Sequence, residues 1–399
     1  MHSQSSPSTA FVAGALANKP GSGGEAWVRL SWIRGLQRLG WRVVFVEQIA
    51  SAVCVDALGR PALWEASENR RFFDRVVADF GLDGSAAVIV DGGAAFHGLS
   101  REELLDRAAE ASLLLNISGH LDWEPLFSSL RNRIYLDIDP GFTQFWQSQG
   151  TGGSRLEGHD AYYTVGLNVG AADCCIPSCG LRWRHMLPPV VLDDWPVAGG
   201  DGGRETIDRD AGRFTTVANW RGPFGPITHA GKTFGLKVHE FRKFLDLPAR
   251  TGLPFEIALA IHPGDAADRD RLVTAGWHLA EPATVAADPR AFRDYVSNSR
   301  AEFSVAQGVY VDTHSGWFSD RTVRYLAAGR PALVQDTGFS RHLPTGTGLV
   351  TFRTPEEAAA GAADIVARYD EHRAAARAIA EHHFDSDRVL SALLADLPA

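Results

Sequence analysis

A glycine-rich segment near the start of the chain has the residue types of a phosphate- or dinucleotide-binding loop. Residues 21–26 read G-S-G-G-E-A, which fits the pattern G-x-G-x-x-A at the start of a predicted helix. Glu47 ends the next predicted strand 21 residues after Ala26, where a dinucleotide fold places the acid that binds the ribose. However, residues 17–20 separate these glycines from the preceding strand, whereas that motif needs a tight turn. A plain turn, a loop lining a cleft and a dinucleotide site all stay open.

A second segment has the features of a diphosphate site. Residues 309–331 read V-Y-V-D-T-H-S-G-W-F-S-D-R-T-V-R-Y-L-A-A-G-R-P, which predicts a strand, a Gly/Ser turn and a helix capped by Ser319. A helix N-terminus offers free N–H groups to an anion, and Arg321 adds a charge-assisted donor. Asp320 opposes this use, because its carboxylate competes for the same helix end. A plain capped helix is the alternative.

Polar residues that follow predicted strands of the first half could supply a general base. They are Glu25 after the glycines, His120 and Asp122 within residues 118–123, and Asp139 within residues 137–141. Asp139 is the preferred base, because it ends a strand and the following Pro140 and Gly141 would turn the chain at a cleft; His120 is the second choice. The alternatives are that Asp139 caps a helix starting near Phe142 and that His120 is structural.

The triplet Asp336-Thr337-Gly338 matches an aspartic-protease signature. That chemistry needs two carboxylates that share a proton, and hence two such triplets on a mostly β scaffold. The triplet occurs once here, after a predicted apolar strand in an α/β context. We therefore do not expect a protease.

Length and composition limit the class of protein. The chain has 399 residues, 45% hydrophobic and 22% charged, which is typical of an ordered globular protein of two or three domains. A net charge of −9 argues against a nucleic-acid partner, although it does not exclude a small anionic ligand. No apolar run approaches the roughly 20 residues that a bilayer requires, and the first residues lack a signal-peptide pattern. We expect a cytoplasmic protein without an integral membrane segment.

The four cysteines do not predict a metal site. Cys174, Cys175 and Cys179 have the spacing C-C-x3-C, which lacks the paired spacing of zinc ribbons, and Cys54 lies far from them. We expect free, reduced thiols and no bound metal.

Apolar strands and amphipathic helices alternate twice along the chain. Strands are predicted at residues 11–15, 41–46, 86–90, 112–117 and 134–138, and again at 214–219, 255–261, 302–305, 332–335 and 348–352. The Gly- and Asp-rich residues 198–210 separate the two series. This pattern predicts an α/β protein with two doubly wound, Rossmann-like domains and a ligand cleft between them. The predicted boundaries are 1–197, a linker 198–212, 213–385 and a terminal helix 386–399.

Residues 309–331, with the strand and Asp336 after them, resemble the C-terminal domain of GT-B glycosyltransferases, closest to the family 1/4-like branch. In that family the Gly/Ser turn and helix N-terminus hold the diphosphate of a nucleotide sugar, and the acid after the strand touches the sugar hydroxyls. Residues 217–222, V-A-N-W-R-G, are similar to the first strand and loop of that domain. The resemblance implies these donor-binding residues: Trp220, Arg221, His314, Ser315, Gly316, Ser319, Arg321, Thr322, Asp336, Thr337 and Gly338.

The resemblance also implies the GT-B architecture, in which the C-terminal helix crosses back to the N-terminal domain. It implies transfer of a sugar from a nucleotide-diphosphate sugar to a hydroxyl or other nucleophile of a small-molecule or glycan acceptor, without metal or further cofactor. On the acceptor side we expect Asp139, His120 or Glu25 as the base, beside a loop with Gly23, Gly24 and Asp122. The sequence leaves the donor base, the acceptor, the stereochemical outcome and the oligomeric state open.

The sequence departs from the family in its acidic residues. Retaining family-4 enzymes carry two glutamates eight positions apart before A-x-G, and the matching positions here are Gly316 and Arg324. Asp312 and Asp320 have the same spacing four positions too early, which we interpret as coincidence. The first loop also lacks the histidine frequent in family-1 enzymes. A GT-B epimerase or phosphorylase, an NAD- or FAD-dependent oxidoreductase and an inactive sugar-nucleotide-binding module therefore remain as alternatives.

Overall fold

Buried apolar strands of the first half form one mainly parallel sheet. The computed structural model describes residues 7–197, 212–222 and 224–397. In this described part the strand order is β4-β3-β2-β1-β5-β6-β7-β8, and only β3 and β4 pair antiparallel. All residues of β1 and β3 are buried, as expected for strands covered by helices on both faces. The strands are β1 Thr9–Ala13, β2 Arg42–Ile49, β3 Ala86–Val90, β4 Ala95–Gly98, β5 Ala111–Ile117, β6 Arg133–Asp137, β7 Ala161–Thr164 and β8 Trp183–His185.

Local capping starts several helices of the first half. The Ser67 hydroxyl accepts a hydrogen bond from the Arg70 N–H, and Ser100 and Glu103 form a capping box. The helices are α1 Gly23–Arg38, α2 Glu68–Asp79, α3 Arg101–Glu110, α4 Glu124–Phe127 and α5 Phe142–Gln149.

The second half contains a second sheet, in which all neighbouring strands of the described residues are parallel. Its order is β13-β12-β9-β14-β15-β16, and the hairpin of β10 and β11 stands apart from it. The strands are β9 Phe214–Asn219, β10 Ile227–His229, β11 Lys232–Phe234, β12 Phe255–Ala260, β13 His278–Ala280, β14 Ala301–Ser304, β15 Ala332–Gln335 and β16 Leu349–Phe352.

Helices cover this sheet and lead the chain back to the first half. The Asp288 carboxylate accepts a hydrogen bond from the Ala291 N–H at the start of α10, and Pro289 occupies its first turn. A π-helical turn, Ala380–Phe384, precedes the last helix. The helices are α6 Lys237–Phe241, α7 Leu247–Thr251, α8 Ala266–Thr274, α9 Pro282–Val285, α10 Pro289–Asn298, α11 Gly308–Asp312, α12 Asp320–Ala327, α13 Pro355–Ala367, α14 Tyr369–Ile379 and α15 Ser386–Ala395.

The last helix packs on the first one, as predicted. Gly35 of α1 allows this contact, since a Cβ there would lie 2.5 Å from Leu390 Cδ1 of α15. Arg38 also pairs with Asp387 across the contact at 3.0 Å. The C-terminal helix therefore belongs to the surface of the first domain. The predicted linker, residues 198–212, lies outside the described residues except for Gly212.

One predicted strand is wrong. Residues 309–311, a Val-Tyr-Val run that favours a strand, lie within helix α11. Tertiary contacts explain the difference: the Val309 N–H donates to the Gly235 carbonyl at 3.1 Å, and Tyr310 packs against Phe142 of α5. The segment follows β14 as a short helix that contacts the first domain rather than as part of the sheet.

Each sheet has one position where the strand order reverses. It lies between β1 and β5 in the first sheet and between β9 and β14 in the second. Ligands of open α/β sheets bind beyond the carboxyl ends of the strands at such a position. We call the carboxyl ends of β1, β5 and β6, with the loops after them, the first edge. The carboxyl ends of β9 and β14, with the side chains of α6 and α12 that reach them, form the second edge.

Candidate active site

The glycine-rich loop after β1 is held by the protein itself. The Glu47 carboxylate accepts hydrogen bonds from the N–H groups of Leu16, Ala17 and Asn18 at 2.5–2.8 Å. Burial raises the pKa of Glu47 to about 7, against the lowering effect of these three donors. The predicted ribose-binding acid therefore shapes the loop, and the arrangement does not support a dinucleotide site.

The glycines of this loop allow the two domains to approach each other. The Gly23 N–H donates to the Ala286 carbonyl at 2.7 Å, and a Cβ on Gly23 would collide with the carbonyl of Asp288. A Cβ on Gly24 would lie 3.0 Å from the ring of Phe292. The loop thus lines the contact between the domains, which favours the cleft-lining interpretation over a phosphate-binding loop.

Glu25 lies beside a buried arginine at the first edge. Its carboxylate pairs with Arg29, one turn later on α1, and its side chain is 46% exposed. Burial raises the pKa of Glu25, but the charges of Arg29, Lys19 and Arg324 outweigh that effect and lower it. Glu25 is therefore an ionised member of an ion pair, which makes it a weaker candidate for a general base.

His120 lies on the loop that follows β5, at the reversal of the first sheet. Burial, with the charges of Arg29 and Arg155, lowers the pKa of His120 to about 3. Its imidazole makes no hydrogen bond to the described residues. A neutral ring with free nitrogens is available to a ligand, and no contact in the described part of the chain supports the structural alternative.

Asp122 is committed to its own loop. Its Oδ1 accepts a hydrogen bond from Gln48 Nε2 at 2.6 Å, and its Oδ2 lies 3.4 Å from Arg155 Nε. The side chain is 50% exposed. It lies at the first edge as expected, paired with these two side chains.

Asp139 lies at the first edge and faces the second domain. Its Oδ1 accepts a hydrogen bond from the Tyr310 hydroxyl at 2.9 Å, and its Oδ2 has no partner among the described residues. The interpretation that Asp139 caps α5 is wrong. Gly141 occupies the cap position, and its N–H donates to Gln144 Oε1 at 2.7 Å.

The surroundings of Asp139 favour its protonated form. Burial, with the negative charges of Glu25 and Asp320, raises the pKa of Asp139, while Tyr310 and Arg29 lower it. A carboxylate with a raised pKa and one free oxygen fits a group that accepts a proton from a hydroxyl.

Arg321 reaches the reversal of the second sheet, but its guanidinium is fully engaged there. Its three nitrogens donate to Glu302 Oε1 at 2.7 Å, the Val217 carbonyl at 3.0 Å and Ser304 Oγ at 2.7 Å. The expected free donor to a phosphate is thus bonded within the domain, because the buried carboxylate of Glu302 needs a counter-ion. Its positive charge still lies at the second edge.

Lys237 is the functional candidate that sequence reasoning missed. It is half-buried at the start of α6, and its ammonium makes no hydrogen bond to the described residues. Burial and the nearby charge of Arg321 lower the pKa of Lys237 to about 7, while Glu302 and Asp320 raise it. No motif surrounds it in the sequence; only the reversal of the sheet, together with Arg321, identifies it.

The Gly/Ser turn expected to hold a diphosphate instead contacts the first domain. Asn168 Nδ2 donates to the carbonyls of His314 and Gly338 at 2.9 and 3.3 Å, and the Asn168 N–H donates to the Ser315 carbonyl. A Cβ on Gly316 would lie 2.9 Å from the Asn168 nitrogen. These residues join the two domains in this structure.

Four of the six remaining donor-side candidates bond within their own domain. Trp220 is buried, and its indole donates to Asp268 at 2.9 Å. Asp336 accepts from Ser340 Oγ and the Gly338 N–H, and it pairs with Arg353. The other four are placed as follows: Arg221 pairs with Asp265, Thr337 Oγ1 donates to the Trp317 carbonyl, Ser319 precedes α12 without a side-chain capping bond, and Thr322 Oγ1 is buried without a partner in the described part of the structure.

Solved structures show the same overall fold. HepE from Anabaena, in complex with UDP and glucose, is 12% identical, with a TM-score of 0.58 over 98% of this chain and 100% of that one. The chain has the GT-B fold. The sucrose-phosphate synthase of Thermosynechococcus elongatus, 11% identical, matches with a TM-score of 0.53 over 97% of this chain and 98% of that one. An α-glucosyltransferase in complex with UDP and DNA, 9% identical, has a TM-score of 0.57 over the same two shares.

The second half of the GT-B chain also matches a family model. Residues 250–395 match the family described as glycosyl transferase-like. No curated protein matches the sequence. The prediction of a GT-B fold is thus confirmed, and the family match over residues 250–395 agrees with the prediction of a glycosyltransferase.

Two absences hold for the described residues alone. No helix there has the length and apolarity that a membrane crossing needs. No three His, Cys, Asp or Glu side chains of the same residues come together as ligands for a metal ion.

Proposed function

We propose that this GT-B protein transfers a sugar from a nucleoside-diphosphate sugar to a hydroxyl of a small-molecule or glycan acceptor, in the cleft between its two sheets. The observation that carries the proposal concerns two groups that have no partner among the described residues, the Lys237 ammonium at the second edge and Oδ2 of Asp139 at the first. Asp320 affects the pKa of both groups, so they share one electrostatic environment. The second edge would bind the donor and the first the acceptor.

The charge of the second edge supports a diphosphate ligand. Arg321 and the protonated form of Lys237 bring positive charge to the reversal of the sheet, beside the carboxylates of Glu302 and Asp320. Phosphate oxygens are strong acceptors for an ammonium group, and a water-poor cleft strengthens that attraction. Several similar structures contain UDP or UDP-glucose, which makes uridine nucleotides the first donors to test.

The chemistry of the first edge supports activation of a hydroxyl. In the proposed step, Asp139 takes the proton of the acceptor hydroxyl, whose oxygen forms the bond to C1 of the sugar. The bond between C1 and the diphosphate oxygen breaks, and its electron pair leaves with the nucleoside diphosphate beside Lys237. His120, held neutral, can hydrogen-bond to a sugar hydroxyl at the same edge.

We propose that the reaction needs no metal ion. Lys237 and Arg321 supply the positive charge that a divalent cation would otherwise bring to the diphosphate. The check is the rate of nucleotide release with and without a chelator. Unchanged rates support this part of the proposal, and a rate lost with the chelator and restored by added magnesium or manganese would refute it.

The experiment that tests the function is a donor screen. The purified protein is incubated with UDP-, dTDP- and GDP-sugars, and thermal stability and release of nucleoside diphosphate are measured. We expect stabilisation by at least one donor and its slow hydrolysis or transfer. Stabilisation by NAD alone would contradict the proposal, and binding without release against a panel of hydroxyl acceptors would indicate an inactive binding module.

A further inference from the structure

Two aromatic residues of the second domain bond to the segment that carries Asp139. The Tyr310 hydroxyl donates to Asp139 Oδ1 at 2.9 Å, and Trp317 Nε1 donates to the Ile138 carbonyl at 3.3 Å. Their rings stack, with centroids 4.4 Å apart and planes inclined by 24°. Tyr310 belongs to α11, and Trp317 lies in the turn before α12.

This contact is part of a wider junction between the domains. Trp317 forms a β-bridge with Gly166, which follows β7, and the rings of Phe142 on α5 and Tyr310 form a T-shaped pair with centroids 6.3 Å apart. Tyr310 is 1% exposed, and its hydroxyl reaches across to Asp139 of the first domain. The hydrogen bond to Asp139 therefore exists only while the two domains are closed on each other.

We propose that Tyr310, supported by Trp317, is a positioning residue that aims the carboxylate of Asp139 when the second domain closes on the first. The proposal rests on the proposed function, in which Asp139 takes a proton from the acceptor. Bonding through Oδ1 leaves Oδ2, which has no partner among the described residues, to meet the acceptor hydroxyl. The domain that would bring the donor also completes the proton acceptor, so acceptor activation depends on closure.

The geometry explains why a tyrosine suits this place. Its hydroxyl can donate to a carboxylate, while its ring fills the apolar space between Trp317 and Phe142. Burial and the negative charge of Asp139 raise the pKa of Tyr310 well above its ordinary value, so the hydroxyl keeps its proton and remains a donor.

The charged groups around Asp139 come from four elements. Glu25 and Arg29 face it from α1, Asp320 from α12 and Tyr310 from α11, and Asp137 precedes it on β6. Only Tyr310 forms a hydrogen bond to the Asp139 side chain among the described residues. Replacing Tyr310 by phenylalanine removes this one donor and leaves the other groups in place.

The test compares Tyr310→Phe with wild type and with the matched variant Tyr369→Phe. Tyr369 lies on α14, away from the cleft, and its hydroxyl donates to the Arg300 carbonyl. The full chain is labelled with ¹³C at aspartate carboxyl carbons, Asp139→Asn identifies the resonance, and its pH titration is followed. In parallel, transfer by the active protein is measured as a function of pH.

The hydrogen bond lowers the pKa of Asp139, so we expect Tyr310→Phe to raise the titration midpoint by roughly one pH unit. The acidic limb of the rate profile should move upward by the same amount, with kcat reduced and the KM of the donor unchanged. Tyr369→Phe should leave both unchanged. An Asp139 midpoint that is the same in Tyr310→Phe and wild type would overturn the proposal.

Failure of the proposed function can be told apart from failure of this inference. A wild-type protein without sugar transfer refutes the function, whereas the carboxyl titration needs no activity and still reports on Tyr310. Transfer in the wild type with an unmoved rate profile in Tyr310→Phe refutes the positioning role alone. Thermal unfolding of the variant, compared with Tyr369→Phe, shows whether a changed rate reflects folding.

Discussion

The two edges that face each other across the cleft differ in charge and in how their groups are partnered. The first edge carries a carboxylate with a raised pKa, Asp139, and a neutral imidazole, His120. The second edge carries a half-buried ammonium, Lys237, beside the Glu302–Arg321 ion pair. The candidate proton acceptors therefore lie on one sheet, and the Lys237 ammonium lies on the other.

This difference shows how one fold, used twice, presents two different sets of side chains. Both sheets reverse their strand order once, so both offer a ligand position at the same topological place. The side chains after the strands decide what each position can bind. The proposed division, with the donor on the second sheet and the acceptor on the first, follows from these side chains and can be tested by mutation.

The largest expected effect comes from removing the proton acceptor of the first edge. Asp139→Asn keeps the shape of the side chain and an oxygen that can accept the Tyr310 hydrogen bond. We expect the rate of transfer to fall by about 10²–10⁴-fold, with little change in the affinity for the donor. Steady-state kinetics with a donor found in the screen measures both quantities.

Asp160→Asn is the control for that substitution. Asp160 lies before β7 at the opposite end of the sheet, where it pairs with Arg133. The Asp160→Asn variant should transfer sugar at the wild-type rate. Full activity of Asp139→Asn would move the role of base to His120 or Glu25.

A second prediction tests whether the close contact between the glycine-rich loop and α10 stabilises the protein and supports sugar transfer. In Gly23→Ala, the new Cβ collides with the Asp288 carbonyl, so the loop and α10 must move apart. We expect a loss of about 1–3 kcal/mol in the free energy of unfolding and a lower rate of sugar transfer. Chemical denaturation measures the loss of stability. In Gly225→Ala the Cβ meets no atom within 4 Å, so equal stability of the two variants would contradict the account of this loop.

The alternation of strands and helices was predictable, because buried parallel strands are continuous apolar runs. β3, β9 and β15 have the predicted bounds. The segment after β14 was not, since the Val-Tyr-Val run of α11 is held by the Gly235 carbonyl and by packing of Tyr310 against Phe142 of the first domain. Local pattern cannot report contacts between residues that are far apart in the sequence.

Within the candidate site, only the residues that directly follow strands could be placed from the sequence. Asp139 and His120 follow β6 and β5, so their placement at the first edge could be derived from the alternation. The donor side was harder. A helix start and a glycine turn suggested a phosphate site, yet Arg321 is bonded to Glu302 and Gly316 lies against Asn168. Lys237 can be recognised as a candidate only once the order of the strands is known.

A smaller effect is expected in the pH dependence of stability, to which His120 of the first edge contributes. The His120 imidazole has a pKa near 6.5 when unfolded and of about 3 when folded, so only the unfolded chain gains this proton on acidification. Its contribution to stability is therefore present above pH 6.5 and is lost as the pH falls below that value. His120→Gln should flatten the fall in stability between pH 6.5 and pH 4, measured by denaturation at each pH. An equally steep fall in His120→Gln and in the wild type would contradict this expectation.

The most direct measurement of the central claim is calorimetric titration of nucleoside diphosphates into wild type, Lys237→Ala and Lys232→Ala. Lys232 is an exposed lysine of β11, and its closest charged partner, Asp312, is 3.8 Å away. If the second edge binds the diphosphate, Lys237→Ala should weaken binding at least about tenfold, and Lys232→Ala should bind like wild type. Equal affinity of wild type and Lys237→Ala would contradict the assignment of the donor site.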